Sequence, residues 1–229
     1  MPTTRTPQSS GPVMKTLAVG TLPQLYHEMS QLRIDDVLSM MRKRRERGRI
    51  LEFVRGLRIS AHLIYTLRSY LQGTGLEAHW GHIVDDNETV CSPECDVIIH
   101  RPDTMGLVRW NGNEKPVMDF HFVPQRSAVA VISCKSLIRS LREVDEAYCL
   151  EVKKYVDHVF LFAECCDSGT QDKWRKRVLD AGYAGFGYLY EYNRRAQSTD
   201  ANHDVWRGFL SAVRERVTAR SGKGNGGEA

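Results

Sequence analysis

The chain has 229 residues, 41% of them hydrophobic and 26% charged, with a formal net charge of +4 at pH 7. This length suits one domain with a substantial core, and the mild positive charge permits nucleic-acid binding without arguing for it. No apolar run reaches the roughly 18 residues that span a bilayer, the first residues lack a signal-peptide core, and six scattered cysteines argue against a disulfide framework, so we expect a reduced, cytoplasmic protein.

The two ends of the chain differ in composition from the part between them. Residues 1–13 are rich in Thr, Ser and Pro, and residues 221–229 are rich in Gly, so both are predicted to be disordered. Residues 14–220 contain neither a repeat nor a linker and are predicted to form a single domain. Their first part is predicted to be helical, because apolar residues recur at helical spacing before Gly73 and Gly75. These residues are Leu25, Met29, Leu32, Val37 and Met40, followed by Ile59, Leu63, Leu67 and Leu71.

The rest of the chain alternates between apolar, β-branched runs and helical periodicity. The predicted strands are "EAHWGHIV", "CDVIIHR", "FHFVP", "SAVAVISCK", "HVFLFAECC" and "GFGYLYEYN". The predicted helices are about 140–156, "TQDKWRKRVLDAG" and "NHDVWRGFLSAVRERVTAR". Continuous apolar runs favour strands buried on both faces. The pattern predicts an α/β fold with a mixed central β-sheet flanked by helices and preceded by an N-terminal helical segment.

Two of these strands carry residues that could act on a phosphodiester. Strand alternation predicts that Asp96 shares a face with His100, while Ser133 shares a face with Lys135 at the end of a later strand. A carboxylate is a ligand for Mg²⁺, and a lysine can assist the attacking water or neutralise developing phosphate charge. Taken alone, His100 is read as an ordinary histidine at a strand end.

The surrounding pattern resembles the PD-(D/E)XK nuclease superfamily and, within it, the cyclic-nucleotide-activated (NucC-type) effector endonucleases of bacterial CBASS antiphage systems. The stretch "SPECDVIIHRPD" followed by "FVPQRSAVAVISCKS" carries the resemblance, which covers roughly residues 22–156. The matching positions are Gly56, Ser92, Asp96, Val123, Pro124, Ser127, Val129, Val131 and Lys135. The resemblance implies a restriction-endonuclease-like sandwich, Mg²⁺- or Mn²⁺-dependent DNA hydrolysis, a cyclic-nucleotide activator and a homo-oligomer.

Two departures from the superfamily pattern concern its acids. Ser133 stands at the glutamate of the "E-x-K" motif, and Ser60 stands at a helix glutamate, so two metal-binding carboxylates are replaced by neutral hydroxyls. Some restriction endonucleases of the superfamily have Ser-x-Lys and take an acid from the following helix. Glu143 and Glu146, at i and i+3 of the predicted helix, are the candidates here. Glu94 is predicted to point away from Asp96.

Two functional hypotheses follow. The first is a metal-dependent endonuclease, in which Asp96, Ser133 and Lys135 form the catalytic group and Asp96 binds Mg²⁺ with Glu146 or Glu143. The alternative is a degenerate pseudonuclease that binds nucleic acid, a nucleotide or a protein. The basic run Arg42, Lys43, Arg44 and Arg45 is either a solvated helix end or a contact to the phosphate backbone. No zinc is expected, because alternation places Cys95 and Cys134 together on the face away from Asp96, where free cysteines pack as small hydrophobic residues.

Overall fold

A computed structural model of the chain describes residues 48–102, 120–167, 171–193, 196 and 198–219. The helices there are α1 (Gly48–Tyr70), α2 (Glu146–Val152), α3 (Gln171–Asp180) and α4 (His203–Ala219), with a 3-10 helix at Leu141–Glu143. The strands are β1 (Glu77–Val84), β2 (Cys95–His100), β3 (Phe120–Pro124), β4 (Ala128–Ile138), β5 (His158–Asp167), β6 (Gly185–Asn193) and β7 (Ser198–Ala201). The predicted disordered ends, the first predicted helix and the basic run 42–45 lie outside the described residues.

The strands form one seven-stranded sheet in the order β3-β1-β2-β4-β5-β6-β7. Strands β4, β5 and β6 run parallel, and so do β1 and β3, whereas β2 is antiparallel to both of its neighbours and β7 is antiparallel to β6. The central strands are the continuous apolar runs, buried on both faces as their composition indicates. The predicted mixed α/β fold is confirmed, and β7 is an additional short edge strand that the sequence did not indicate.

Helices cover both faces of the sheet and close a separate core on each. Helices α1 and α4 bury Leu63, Leu67 and Trp206 against one face of β2, β4 and β5. Helices α2 and α3 bury Val152 and Trp174 against the other. Each fully buried side chain of this size contributes about 1.5–3 kcal/mol relative to an exposed one. In the part of the chain that the structure describes, no helix is long and apolar enough to cross a membrane.

The segment after β4 differs from the single helix predicted for about 140–156. The helix begins only at Glu146, because Asp145 has extended backbone angles and its side chain accepts a hydrogen bond from the Tyr148 backbone N–H at 2.9 Å. That is the geometry of a helix N-cap. Glu143 lies in the preceding 3-10 helix. The prediction that Glu143 and Glu146 share one helix is therefore wrong.

Strand β2 departs from strict alternation at its start. His79 of β1 pairs with Ile98 and Gly81 pairs with Cys95, so two residues of β2 lie opposite the single residue Trp80. This is the count of a β-bulge, which re-aims the side chains of the bulged strand. As a result, Cys95 and Ile98 lie in the same core.

Because of the bulge, Cys95 packs beneath α2 and α3, whereas Cys134 of β4 packs beneath α1 and α4. The prediction that the two thiols share a face is wrong. Both are nevertheless buried free thiols, as expected of cysteines that pack as small hydrophobic residues. Burial also raises the pKa of Cys95 to about 11.

Candidate active site at the fork between β2 and β4

Asp96 lies where the pairing between β2 and β4 ends. Val97 and Ile132 are the last paired residues of this ladder, so Asp96 is the first residue of β2 beyond it. Its Oδ2 accepts a hydrogen bond from the backbone N–H of Cys134 at 2.8 Å. The carboxylate therefore spans the fork between the two strands, which fixes its orientation. We call this region the fork; it comprises Asp96, Ser60, Ser133, Cys134 and Lys135.

Lys135 is brought to the same place. It lies within β4, which continues to Ile138 and does not end at the lysine as the sequence suggested. Burial raises the pKa of the Asp96 carboxyl, while the Cys134 N–H and then the Lys135 ammonium act in the opposite sense. Burial has the largest effect, so the Cys134 N–H and Lys135 offset only part of the cost of burying the charged carboxylate. A cation that binds at the fork would stabilise the charged form of Asp96.

Ser60 and Ser133, which the sequence resemblance aligns with acids, are both buried in this region. Ser60 is 1% exposed and Ser133 is 3% exposed. The Ser60 Oγ lies 3.2 Å from the Gly56 carbonyl oxygen and 3.5 Å from Asp96 Oδ1, so its single proton serves mainly the carbonyl. Ser133 follows Ile132, the partner of Val97, and so occupies the first position of β4 beyond the end of the ladder. The fork thus holds one carboxylate, one ammonium and two neutral hydroxyls.

The structure places Glu143 and Glu146 in other contacts. Glu143 Oε2 accepts a hydrogen bond from the Arg139 backbone N–H at 3.1 Å. Glu146 Oε2 lies 3.3 Å from Arg177 Nη2 of α3. Both glutamates are exposed, and within the described residues neither contacts Asp96.

Three neighbours of Asp96 were not selected from the sequence. Glu94 raises the pKa of the Asp96 carboxyl, so its carboxylate lies within electrostatic reach, although alternation predicted that it points away. Its Oε1 accepts a hydrogen bond from Trp80 Nε1 at 2.9 Å.

The other two neighbours are tyrosines. The Tyr148 hydroxyl donates a hydrogen bond to the Glu94 carbonyl oxygen at 3.3 Å. Burial, followed by Cys95 and Asp96, raises the pKa of the Tyr148 phenol. Asp96 also contributes to raising the pKa of the Tyr183 phenol, so Tyr183 lies within electrostatic reach of the carboxylate. Both tyrosines reach the fork only through tertiary packing, which no local pattern reveals.

Two further acids are buried on the strand beside Lys135. Glu164 and Asp167 of β5 are 5% and 7% exposed. Glu164 lies between Ala163 and Cys165, which pair with Lys135 and Leu137. Their only signal in the sequence is an acid inside the apolar run "HVFLFAECCD".

No protein family and no curated protein sequence matches this chain. Solved structures of NucC do resemble its fold. The cAAA-bound form of NucC from P. aeruginosa ATCC27853 is 12% identical, with a TM-score of 0.51, over 90% of this chain and 98% of that one. The cAAA-bound form of NucC from E. coli MS115-1 is 14% identical, with a TM-score of 0.51, over 91% of this chain and 99% of that one. At such identities the similarity establishes a common fold.

Proposed function

We propose that this chain is an endonuclease-like protein that hydrolyses DNA phosphodiester bonds in bacterial antiphage defence, with Asp96 and Lys135 at its reaction centre. The observation that carries the proposal is the fork: a NucC-like fold places an oriented carboxylate within electrostatic reach of a lysine. A fold alone does not specify an activity, so the proposal depends on this pair of residues and on the sequence pattern around it.

The fork suits a phosphate group in two ways. Lys135 is half-buried and carries the positive charge that stabilises the developing charge of a phosphodiester under attack. Asp96 is held by the Cys134 N–H and accepts hydrogen bonds with its remaining lone pairs, so it can orient a water or a hydrated cation. The two roles are complementary, because Lys135 would contact the phosphate and Asp96 would orient the attacking water.

The ligands at the fork fit Mg²⁺ or Mn²⁺ only in a limited sense. Asp96 supplies one carboxylate, and no group of three ligand-type side chains includes it in the described part of the chain. Mg²⁺ is commonly held by one or two carboxylates together with waters and substrate phosphates. The fork therefore suits a cation that binds with the nucleic acid. When bound, such an ion would lower the pKa of a water and stabilise the displaced oxygen.

A second carboxylate could come from Glu146 or Glu143. The Glu146–Arg177 pair is exposed, and exposed pairs contribute about 0–1 kcal/mol. Binding of a cation at the fork could therefore compensate for the loss of this contact. Glu143 would have to release the Arg139 N–H.

The sequence resemblance and the fold support a proposal about partners and assembly. The two similar NucC structures contain cAAA, and we propose that a cyclic nucleotide activates this chain and that it assembles as a homo-oligomer. Arg42, Lys43, Arg44 and Arg45 would contact the DNA backbone. Such contacts are independent of base sequence and weaken steeply with salt.

The direct test is cleavage of supercoiled plasmid in Mg²⁺ or Mn²⁺, with and without cyclic oligoadenylates. Asp96→Asn and Lys135→Met should each lower the cutting rate by about 100-fold or more. Lys154→Met is the matched control, because Lys154 is exposed and pairs with Glu151, and it should cut like the wild type. Folded wild-type protein that cuts under none of these conditions would overturn the proposal.

One observation favours a second candidate, a pseudonuclease that binds without cutting. Both acid positions of the fork carry buried, neutral serines, which is a stable arrangement without any cation. The same samples distinguish the two functions. Binding of duplex DNA or cyclic oligoadenylate that depends on Lys135, without cleavage at any metal concentration, would assign the binding role.

A further inference from the structure

A second group of ligand-type side chains lies at the opposite end of β2 from Asp96. It consists of Glu77 and His79 on β1 and His100 on β2, and their ligand atoms all lie within 4.8 Å of one another. Glu77 is the cross-strand partner of His100, and His79, two residues further along β1, shares its face. We propose that this histidine cluster, Glu77–His79–His100, binds a transition-metal cation of the zinc type.

His100 is already oriented as a metal ligand. Its Nδ1 lies 2.9 Å from the Arg101 carbonyl oxygen, and since a carbonyl only accepts, Nδ1 carries the proton. The lone pair is then on Nε2, which faces His79. A histidine held at one nitrogen by a backbone carbonyl is the usual arrangement behind a metal-binding imidazole.

The contact between the two imidazoles requires a proton or a cation between them. His79 Nδ1 and His100 Nε2 are 2.8 Å apart, and both rings are buried. In the metal-free protein, His79 donates an N–H to His100. Replacing that proton by Zn²⁺ moves the His79 proton to its Nε2 and widens the separation to about 3.3 Å, the span of two bonds of about 2.05 Å in a tetrahedron.

Burial and charge around the cluster both suit a cation. The two imidazoles are buried away from water, and an acid lies beside them. Glu77 is exposed and supplies the negative charge, with Oε2 4.0 Å from His79 Nδ1.

The donor set determines the class of ion. Two imidazoles and one carboxylate suit zinc and its neighbours in the first transition series, whereas Mg²⁺ and Ca²⁺ prefer oxygen ligands. His121 stacks on His79, with ring centroids 3.7 Å apart and planes at 25°. Because a nitrogen lone pair lies in the plane of its ring, the stacked His121 cannot share the ion, and it holds the His79 ring in place instead. Three protein ligands leave a fourth position to water.

The cluster is separate from the fork. His100 is four residues from Asp96 along β2, which is about 13 Å in a strand. The ion would join the two strands β1 and β2 at this end of the sheet, so the inference does not depend on the proposed nuclease activity.

The test uses tag-free protein, treated with chelator and then titrated with Co²⁺ and with Zn²⁺. We expect one Co²⁺ per chain with the intense visible bands of four-coordinate cobalt, displacement by Zn²⁺, and a higher melting temperature in Zn²⁺. Glu77→Gln, an exposed change that leaves the fold intact, should weaken binding at least tenfold, and His100→Gln should abolish the bands. His82→Gln is the control, because His82 lies on the same strand and contacts the Ser92 carbonyl.

Two results would overturn the inference. Folded wild-type protein that shows neither cobalt bands nor a zinc-dependent rise in melting temperature would leave a histidine–histidine hydrogen bond and no site. Metal binding that survives both Glu77→Gln and His100→Gln would place the ion elsewhere, for example at the half-buried thiol of Cys91.

Discussion

Different polar groups lie at the two ends of β2: a carboxylate and a lysine at one end, and two histidines with a glutamate at the other. At the start of the strand, Asp96 and Lys135 lie in a sequence pattern that resembles a known family, but the fork has a single carboxylate and two buried serines. At its other end, Glu77, His79 and His100 lie in no recognisable pattern, yet they bring three ligand atoms within 4.8 Å. A sequence pattern and a set of ligand atoms are therefore independent indications of a site. The fork has the pattern with few ligands, and the histidine cluster has the ligands without a pattern.

The largest effect that we expect comes from Gly81 of β1, which pairs with Cys95 at the start of β2. Gly81 has φ 155°, and a Cβ at this position would lie 1.8 Å from the carbonyl oxygen of His121 on β3. Gly81→Ala must therefore push β3 away from β1, and we expect it to lower the free energy of unfolding by about 3 kcal/mol or more, as strained backbone substitutions do. Chemical denaturation measures the change.

The same substitution tests whether the two ends are independent. Moving β3 removes the stacking of His121 on His79, so the remaining folded protein should bind Co²⁺ more weakly. The β2–β4 ladder does not involve Gly81, so binding of DNA at the fork should persist in the same sample. Equal losses at both ends would contradict this separation. Gly208→Ala in α4 is the control, since a Cβ there meets nothing within 4 Å.

The second prediction restores a donor to the fork. Ser133→Glu adds a carboxylate at the first position of β4 beyond the ladder. If Mg²⁺ is then held by two acids, we expect plasmid cutting to rise by about 100-fold, equivalent to about 2.7 kcal/mol. Because Ser133 is 3% exposed, the new carboxylate costs stability without a cation. The melting temperature should therefore fall in chelator and recover in Mg²⁺.

The control for this restoration is Ser136→Glu, which adds the same charge one residue beyond Lys135 and should change neither cutting nor the Mg²⁺ dependence of the melting temperature. If Ser133→Glu folds but keeps the wild-type cutting rate and the wild-type Mg²⁺ dependence of the melting temperature, a shortage of carboxylates does not limit cutting at the fork.

Much of the fold follows from local sequence. The apolar runs of β4 and β5 and the helical spacing of Leu63 and Leu67 predicted buried strands and a packed helix, and the structure has both. Asn202, a residue type that is common at helix N-caps, precedes α4 and accepts a hydrogen bond from the Val205 N–H at 3.1 Å. These features depend on residues close together in the chain, so a periodic pattern is sufficient to find them.

The features that the sequence did not reveal depend on pairing between distant segments. The bulge at Asp96 and Val97 exists because β1 presents only Trp80 opposite them, and alternation within β2 alone cannot indicate it. His79 and His100 are 21 residues apart and meet only when β1 and β2 pair. Viewed as a lone histidine at a strand end, His100 had no partner that a local pattern could identify.

The smallest effect that we expect concerns the acid that could complete the fork. Glu146 pairs with Arg177 at the surface, so Glu146→Gln should change the free energy of unfolding by no more than about 0.5 kcal/mol. Its effect on cutting is the informative quantity. If Glu146 turns to the fork when DNA and a cation bind, cutting should fall at least tenfold while stability stays constant. Glu151→Gln, which removes an exposed acid from the same helix, is the matched control. Wild-type cutting by Glu146→Gln would exclude Glu146 as the second acid. The Mg²⁺ dependence of cutting by Glu143→Gln would then test Glu143, the other acid proposed for that role.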